Sequence, residues 1–254
     1  ECEIGKIELL RNSSRPKRRI EVYGDSVSAG EVSEAVDFVG KEDPKWHQGE
    51  FSNSYYSYAW ILARKLGASI HDVAQGGIAL CNDTGWHLVN DGKKEYYMGM
   101  EDAYDKILYN PGMGTVTKWD FDRYRPHVVI VALGQNDNHP DDYMKEDYDC
   151  DRAVKWRQKY FEFVKKLREI YPKSEIILAT TILEHNDNWD RSIEEITEKL
   201  QDKNIHHFLY SKNGCGTPGH IRKPEAEEMA DELAAFIDSL GDEIWKDENE
   251  KFDL

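Results

Sequence analysis

Short apolar runs rich in β-branched residues recur along the chain. They fall at Ile20–Tyr23, Ile70–Ala74, Val128–Leu133, Ile176–Thr181 and Ile205–Tyr210. Runs this short, bounded by turn residues, predict β-strands. The run at Val128–Leu133 is apolar throughout, which is typical of a central parallel strand covered on both faces.

Segments with helical spacing of apolar residues lie between or after these runs, at Tyr55–Leu66, Ala153–Tyr171, Arg191–Leu200 and Pro224–Leu240. Alternation of strand and helix predicts a parallel sheet, because each crossover places a helix on a sheet face. The sequence therefore predicts an α/β fold, a three-layer α/β/α sandwich around a five-stranded parallel sheet of flavodoxin-like order.

Two regions, Val32–Ser52 and Asn82–Asp122, do not follow this alternation. Loops of such length in a compact domain are usually functional or disordered. The second region carries several tyrosines together with Trp86 and Trp119, and this aromatic content favours order. We expect these regions to form walls of a binding cleft.

Composition and charge exclude some classes of partner. The chain has 254 residues, of which 39% are hydrophobic and 32% charged, with a formal net charge of −16. Such a charge repels phosphate backbones and anionic lipid, so we expect no nucleic-acid partner and no membrane partner. No run approaches the ~18 consecutive apolar residues of a membrane span.

The four cysteines, Cys2, Cys81, Cys150 and Cys215, show no CxxC spacing. The absence of this spacing argues against a structural zinc site or a redox dithiol. One disulfide or none are both compatible with the sequence, so the cysteines do not indicate a compartment.

Chemically capable residues follow four of the predicted strands. Gly24-Asp25-Ser26 follows the first, Gly76-Gly77 the second, Gly134-Gln135-Asn136-Asp137 the third, and a segment ending in His220 the fifth. Each motif alone is common turn chemistry. Together they provide the hydroxyl, the imidazole and the backbone donors that acyl transfer requires, at one edge of a parallel sheet.

At these positions the sequence resembles the SGNH, or GDSL-type, hydrolase superfamily, whose four blocks centre on Ser, Gly, Asn and His. Ser26, Gly77, Asn136 and His220 match them in order. The resemblance extends from Arg18 to about Leu240. It implies a serine esterase in which Ser26 is the nucleophile and His220 the base, while the Ser26 and Gly77 N–H groups and the Asn136 amide bind the oxyanion.

Within that superfamily the chain resembles carbohydrate esterase family 2. The similarity rests on Arg15–Glu21 leading into Gly24-Asp25-Ser26, on Ser54–Ala59, and on Gly77–Leu80. It implies an esterase that removes O-acetyl groups from plant polysaccharides or oligosaccharides such as acetylated xylan or glucomannan, without a cofactor or metal. It favours a secreted or cell-surface location, and a cytoplasmic one stays open.

The resemblance also predicts the domain organisation. Family members carry a β-sandwich domain before the esterase domain, and Gly5–Leu10 resembles the end of such a domain. Residues 1–17 are therefore expected to be its tail or a linker, residues 18–242 the esterase domain, and residues 243–254 an acidic C-terminal tail.

The chain departs from the superfamily at Thr217, where an Asp usually stands three residues before the catalytic His. A threonine cannot stabilise an imidazolium as a carboxylate does. Family 2 esterases are known for a Ser-His dyad, so we expect the backbone carbonyl of Pro218 to orient His220.

Candidate substrate-binding residues are Asp25, Asp137 and His139 near the strand ends, and Trp86 and Trp119 in the aromatic region. His139 is also a rival base, ranked below His220. Two other functions remain open: a short-chain lipase-like or thioesterase-like enzyme with the same site, and a glycan-binding module with secondary esterase activity. Activity toward acetyl and octanoyl esters would separate the first from an acetylesterase.

Overall fold

The protein is described by a computed structural model over residues 15–247. Its strands are β1 Arg18–Gly24, β2 Ala68–Ala74, β3 Leu88–Asn90, β4 Glu95–Tyr97, β5 Lys106–Leu108, β6 Thr117–Lys118, β7 Val128–Ala132, β8 Glu175–Ala179 and β9 Ile205–Phe208. Its α-helices are α1 Ser26–Ala29, α2 Tyr58–Lys65, α3 Met100–Ala103, α4 Tyr143–Glu146, α5 Asp151–Ile170, α6 Asn188–Leu200 and α7 Lys223–Ser239. The predicted long strands and helices are all present, with ends shifted by a few residues.

One parallel sheet organises the chain, with strand order β2-β1-β7-β8-β9. Each neighbouring pair is parallel, and the register aligns Gly24 at the end of β1 with Ala132 at the end of β7. The predicted flavodoxin-like order is therefore confirmed. The carboxyl ends of these strands meet at one edge, where an open parallel sheet binds ligands.

Helices cover both faces of this sheet. Trp156 and Tyr160 of α5 pack on one face, within the same buried cluster as Ile193 of α6. Leu62 of α2 and Leu233 of α7 belong to the cluster on the other face. The middle strand β7 is buried along its whole length, as its continuous apolar sequence predicted. The three-layer sandwich is thus confirmed.

The helix predicted from Tyr55 begins later than expected. Residues Ser54–Tyr56 form a turn of 3-10 helix, and α2 starts at Tyr58. The reason is local capping, because the side chain of Ser57 accepts a hydrogen bond from Trp60 N at 3.4 Å. The serine ends one turn and starts the next.

Two insertions extend beyond the layered core. The region 82–122 contains the small hairpins β3–β4 and β5–β6 together with α3. The region 32–52 has a single turn of 3-10 helix, Val36–Phe38, and is otherwise irregular. Region 82–122 contributes Trp86 to the cavity at this edge, whereas region 32–52 contributes Asp43, which contacts His220 but does not line that cavity.

The ends of the chain are described only in part. The proposed remnant of an upstream domain, at Gly5–Leu10, lies outside the described residues, as does most of the acidic tail. The start of that tail packs on the domain, since Asp247 pairs with Arg19 at 2.5 Å and Arg18 lies over the Trp245 ring. Domain boundaries stay a prediction.

Three cysteines fall within residues 15–247, and Cys81, Cys150 and Cys215 are all free thiols. In the same range no helix combines the length and the hydropathy needed to cross a bilayer.

Candidate active site

A sharp turn presents Ser26 at the carboxyl end of β1. Asp25 caps the one-turn helix α1, and its side chain accepts a hydrogen bond from Val27 N at 3.0 Å. Gly24 has to be a glycine here, because a Cβ at this position would lie 2.1 Å from the Ser28 hydroxyl oxygen. The turn therefore places Ser26 as the first residue of α1, with its side chain facing the sheet edge.

His220 lies just before α7 and reaches Ser26 across the sheet edge. Its Nε2 is 2.9 Å from Ser26 Oγ, a hydrogen-bond distance. Its Nδ1 is 2.6 Å from Oδ2 of Asp43. The hydroxyl, the imidazole and a carboxylate thus form a continuous hydrogen-bonded series, the arrangement of a Ser-His-Asp triad.

The carboxylate of this series comes from an unexpected part of the chain. Asp43 lies in the irregular region 32–52, far in sequence from His220. The prediction that the Pro218 carbonyl orients His220 is therefore wrong, because the Nδ1 position is taken by Asp43. Thr217, at the position where an acid was sought, is buried, and its hydroxyl has no hydrogen-bond partner among the described residues.

A buried arginine fixes Asp43. Arg222 is fully buried, and its Nη2 lies 2.9 Å from Asp43 Oδ1. The same oxygen accepts a hydrogen bond from the backbone N–H of His220 at 2.9 Å. A further tie joins the segment to α7, because Gly40 N donates to Glu225 Oε1 at 2.8 Å. The irregular segment is thereby fastened to the start of α7.

The charged states of Asp43 and His220 stabilise each other, and the charge of Arg222 further stabilises ionised Asp43. Partial burial opposes ionisation of Asp43, but the hydrogen bonds and charge of His220 and the charge of Arg222 lower its pKa to about 2. Burial alone would lower the pKa of His220, yet the hydrogen bond and charge of Asp43 raise it above the ordinary value. An ionised Asp43 can only accept, so Nδ1 carries the hydrogen and Nε2 is free to accept the Ser26 proton.

Two backbone N–H groups beside Ser26 are available as donors. The N–H groups of Ser26 and Gly77 have no acceptor within residues 15–247. Gly77 has a φ of +74°, and its carbonyl accepts a hydrogen bond from Trp86 N at 2.7 Å, which holds the following peptide in place and leaves the Gly77 N–H unengaged. Such preorganised donors can stabilise an oxyanion, as the sequence predicted for these two groups.

Asn136 also lies at the cavity, but its amide already has partners. Nδ2 of Asn136 donates to Asp25 Oδ2 at 3.2 Å and to the carbonyl of Ile78 at 3.1 Å. Its predicted oxyanion role therefore requires sharing of these hydrogens. Asp25 itself is buried, which raises its pKa, and Gln135 Nε2 donates to it at 3.1 Å. We assign Asp25 a structural role, in which it holds the segment of Gln135 and Asn136 against the turn of Ser26, rather than direct contact with the substrate.

These groups open into one cavity of about 650 Å³. Its lining is largely polar and comprises Asp25, Ser26, Glu31, Gln75, Gly76, Gly77, Trp86, Gln135, Asn136, Asn138, Leu183, Glu184, Pro218 and His220. Glu31 and Glu184 were not predicted. Over the described part of the chain, no group of three His, Cys, Asp or Glu side chains is arranged to hold a metal ion.

Two of the predicted substrate-binding residues form a stacked pair at the cavity. Trp86 lines it and is 61% exposed. The ring of His139 lies beneath it, with 3.5 Å between ring centroids, and its Nδ1 is 2.7 Å from the carbonyl of Gly85. Trp86 therefore offers an exposed aromatic face, while His139 supports it and does not line the cavity.

The other two predicted contacts do not reach the cavity. Asp137 is fully buried, and its carboxylate accepts the backbone N–H groups of Leu80 and Cys81 at 2.8 and 3.1 Å. Trp119 lies in a neighbouring cavity of about 190 Å³, beside His71. The prediction for Asp137 is wrong, because its place directly after β7 did not fix where its side chain points. Contact of a larger substrate with Trp119 stays a prediction.

Comparison with known proteins identifies similar chains. No family model matches the sequence. The chain is 28% identical over 233 residues to an acetylxylan esterase / glucomannan deacetylase of Cellvibrio japonicus, covering 89% of this chain and 58% of the relative. It is 29% identical over 202 residues to the cellulase/esterase CelE of Acetivibrio thermocellus, covering 80% of this chain and 22% of the relative. The chain thus spans little more than half of one relative and less of the other.

A solved structure shares the fold. A family two carbohydrate esterase from Clostridium thermocellum, in complex with cellohexaose, superposes with a TM-score of 0.71 at 24% identity. The match covers 94% of this chain and 68% of the other. The resemblance and the fold class predicted from the sequence are therefore confirmed.

Proposed function

We propose that this chain, which resembles the family two carbohydrate esterases in sequence and fold, is a serine esterase that removes acetyl groups from polysaccharides or oligosaccharides. The observation that carries the proposal is the contact of His220 Nε2 with Ser26 Oγ at 2.9 Å, continued to Asp43 at 2.6 Å. Acyl transfer needs such an activated hydroxyl. The printed names of the relatives, an acetylxylan esterase / glucomannan deacetylase and a cellulase/esterase, support the choice of ester and substrate.

In the first half of the reaction Ser26 Oγ attacks the acetyl carbonyl carbon. His220 Nε2 takes the hydroxyl proton, and Asp43 stabilises the imidazolium through the Nδ1 hydrogen bond. His220 then protonates the sugar oxygen as its bond to the acetyl carbon breaks. The products are a free sugar hydroxyl and an acetyl ester on Ser26.

The carbonyl oxygen becomes negative in the tetrahedral intermediate and needs fixed donors. We assign the Ser26 and Gly77 N–H groups to this oxyanion, since neither has an acceptor in residues 15–247. The Asn136 amide at the same cavity becomes a third donor only by sharing the hydrogens that it gives to Asp25 and the Ile78 carbonyl. Each such donor contributes roughly 3 kcal/mol in acyl-transfer sites.

In the second half a water molecule replaces the sugar. His220 accepts a proton from this water, and the resulting hydroxide attacks the acetyl carbon of the acyl-Ser26 ester. The same donors hold the second oxyanion. Return of the proton from His220 to Ser26 Oγ releases acetate and restores the site.

The lining of the cavity favours a short acyl group on a hydroxyl-rich leaving group. Glu31, Gln75 and Glu184 supply polar side chains, whereas a long acyl chain would need an extended apolar surface. The exposed face of Trp86 is suited to stack on a sugar ring. These features support a carbohydrate acetylesterase over a lipase-like enzyme.

Replacement of the nucleophile tests the proposal. Ser26→Ala should abolish acetate release from acetylated xylan, glucomannan and 4-nitrophenyl acetate, because within residues 15–247 no other hydroxyl is hydrogen-bonded to His220. Ser28→Ala is the matched control, since Ser28 lies in the same helix but pairs with Tyr58 at 2.9 Å. Substantial turnover by the Ser26 variant, or loss of activity in both variants, would contradict the assignment of Ser26.

A further inference from the structure

The cavity carries an excess of negative charge beside the reacting groups. Its lining includes the accessible carboxyl groups of Glu31 and Glu184, together with the buried Asp25, whose pKa burial raises, but no lysine or arginine. Arg222, which pairs with Asp43, is fully buried and does not line the cavity. Since His220 is the only basic side chain in the lining, an approaching ester meets a predominantly acidic surface.

Among these acids Glu31 is held closest to the reaction. Gly30 ends α1 with a φ of 78°, and Glu31 N donates to the Ser26 carbonyl at 2.9 Å. A side chain at Gly30 is excluded, because its Cβ would lie 2.5 Å from the Asn53 carbonyl oxygen. The tight turn therefore fixes the backbone of Glu31 relative to the nucleophile.

The carboxylate of Glu31 faces the same nitrogen that delivers the proton to the leaving group. Oε2 of Glu31 lies 3.8 Å from His220 Nε2. The side chain is 34% exposed, and its carboxylate has no hydrogen-bond donor among the residues that the structure describes. Glu31 is therefore free to act on what enters the cavity.

We propose that Glu31 sets the charge preference of the site, so that acetyl esters with a neutral or cationic leaving group are hydrolysed faster than esters with an anionic one, such as an acetylated uronic acid. This inference rests on the proposed esterase function. The leaving oxygen must lie within about 3 Å of His220 Nε2 to be protonated, which brings the leaving group close to Glu31. In a partly desolvated cavity, one unit charge at such separations changes a rate by about tenfold.

Three aryl acetates of similar size provide the probe: 3-(trimethylammonio)phenyl acetate, 3-tert-butylphenyl acetate and 3-carboxyphenyl acetate. Their kcat/KM values are measured at low ionic strength for the wild type and for Glu31→Gln. Comparison of the same esters in two proteins cancels their intrinsic reactivity. Glu34→Gln is the matched control, because Glu34 is exposed, lies three positions on, and does not line the cavity.

The cationic-to-anionic ratio of kcat/KM should fall about a hundredfold in Glu31→Gln, since the cationic ester loses and the anionic ester gains about tenfold, and stay within about twofold in Glu34→Gln. Added salt should reduce the wild-type ratio. An unchanged ratio in Glu31→Gln, or an equal loss of activity on all three esters, would overturn the charge preference. Wild-type hydrolysis of none of the three would instead overturn the esterase function on which it rests.

Discussion

Replacement of Asp43 by asparagine should disable the base without removing it. Asp43 Oδ1 accepts two donors, Arg222 Nη2 and the backbone N–H of His220, both at 2.9 Å. The amide oxygen of an asparagine must stay on these donors, so its NH2 group faces His220 Nδ1. Nδ1 then has to accept a hydrogen bond, which places the ring hydrogen on Nε2, where the Ser26 proton should go.

The loss of the correct tautomer in a comparable triad lowers kcat by about 10⁴, or about 5.5 kcal/mol. We expect a loss of this order in kcat for 4-nitrophenyl acetate hydrolysis by Asp43→Asn, with KM little changed. The pH profile should also change, because the carboxylate that raises the pKa of His220 is gone. The acid limb of the residual activity should move to lower pH than in the wild type.

A matched variant tests whether catalysis depends on the residue at position 217, where the superfamily carries its acid, or on Asp43, which contacts His220. Thr217→Val removes the hydroxyl at the position where the superfamily carries its acid, and kcat should stay within about threefold of wild type. Melting temperatures of both variants are needed, because Arg222 is buried and pairs with Asp43. More than about a tenth of wild-type kcat in folded Asp43→Asn, with an unshifted acid limb, would refute the role given to Asp43.

Two further outcomes follow from the site. Trp86→Ala should raise KM for acetylated oligosaccharides by about tenfold and leave hydrolysis of 4-nitrophenyl acetate nearly unchanged, because the exposed ring would stack on sugar rather than touch the acetyl group; equal effects on both substrates would contradict this. Wild-type kcat/KM for 4-nitrophenyl acetate should fall on acidification with a midpoint above about pH 6.5, because His220 must be neutral to act as base and its pKa is raised. A midpoint at or below that value in a pH series would contradict the assigned contact with Asp43.

The layered fold could be predicted from the sequence because it follows from local patterns. The buried strand β7 is apolar throughout, and the strands on either side alternate with helices whose apolar faces have regular spacing. Ser26 and His220 could be found for the same reason, since the carboxyl ends of parallel strands must share one edge. Their contact at this edge is a consequence of topology.

Asp43 could not be predicted, because it lies in a region without periodicity. Its position depends on Arg222 and on the hydrogen bond between Gly40 and Glu225, which are contacts over about 180 positions. The only sequence signal for Asp43 was its acidic side chain in an irregular segment that follows the nucleophile. Asp137 shows the converse, since its place after β7 indicated a cleft residue although backbone N–H groups take both of its oxygens.

The attachment of region 32–52 to α7 has a consequence for the durability of the proposed activity. Asp43 reaches His220 only while this segment stays docked, and the docking depends on a few contacts outside the sheet, chiefly those of Arg222 and Glu225. Detachment of the segment would remove the catalytic carboxylate while both apolar layers remain packed. Heat inactivation of the proposed esterase is therefore expected to precede global melting, and strengthening the segment should extend working lifetime without altering the core.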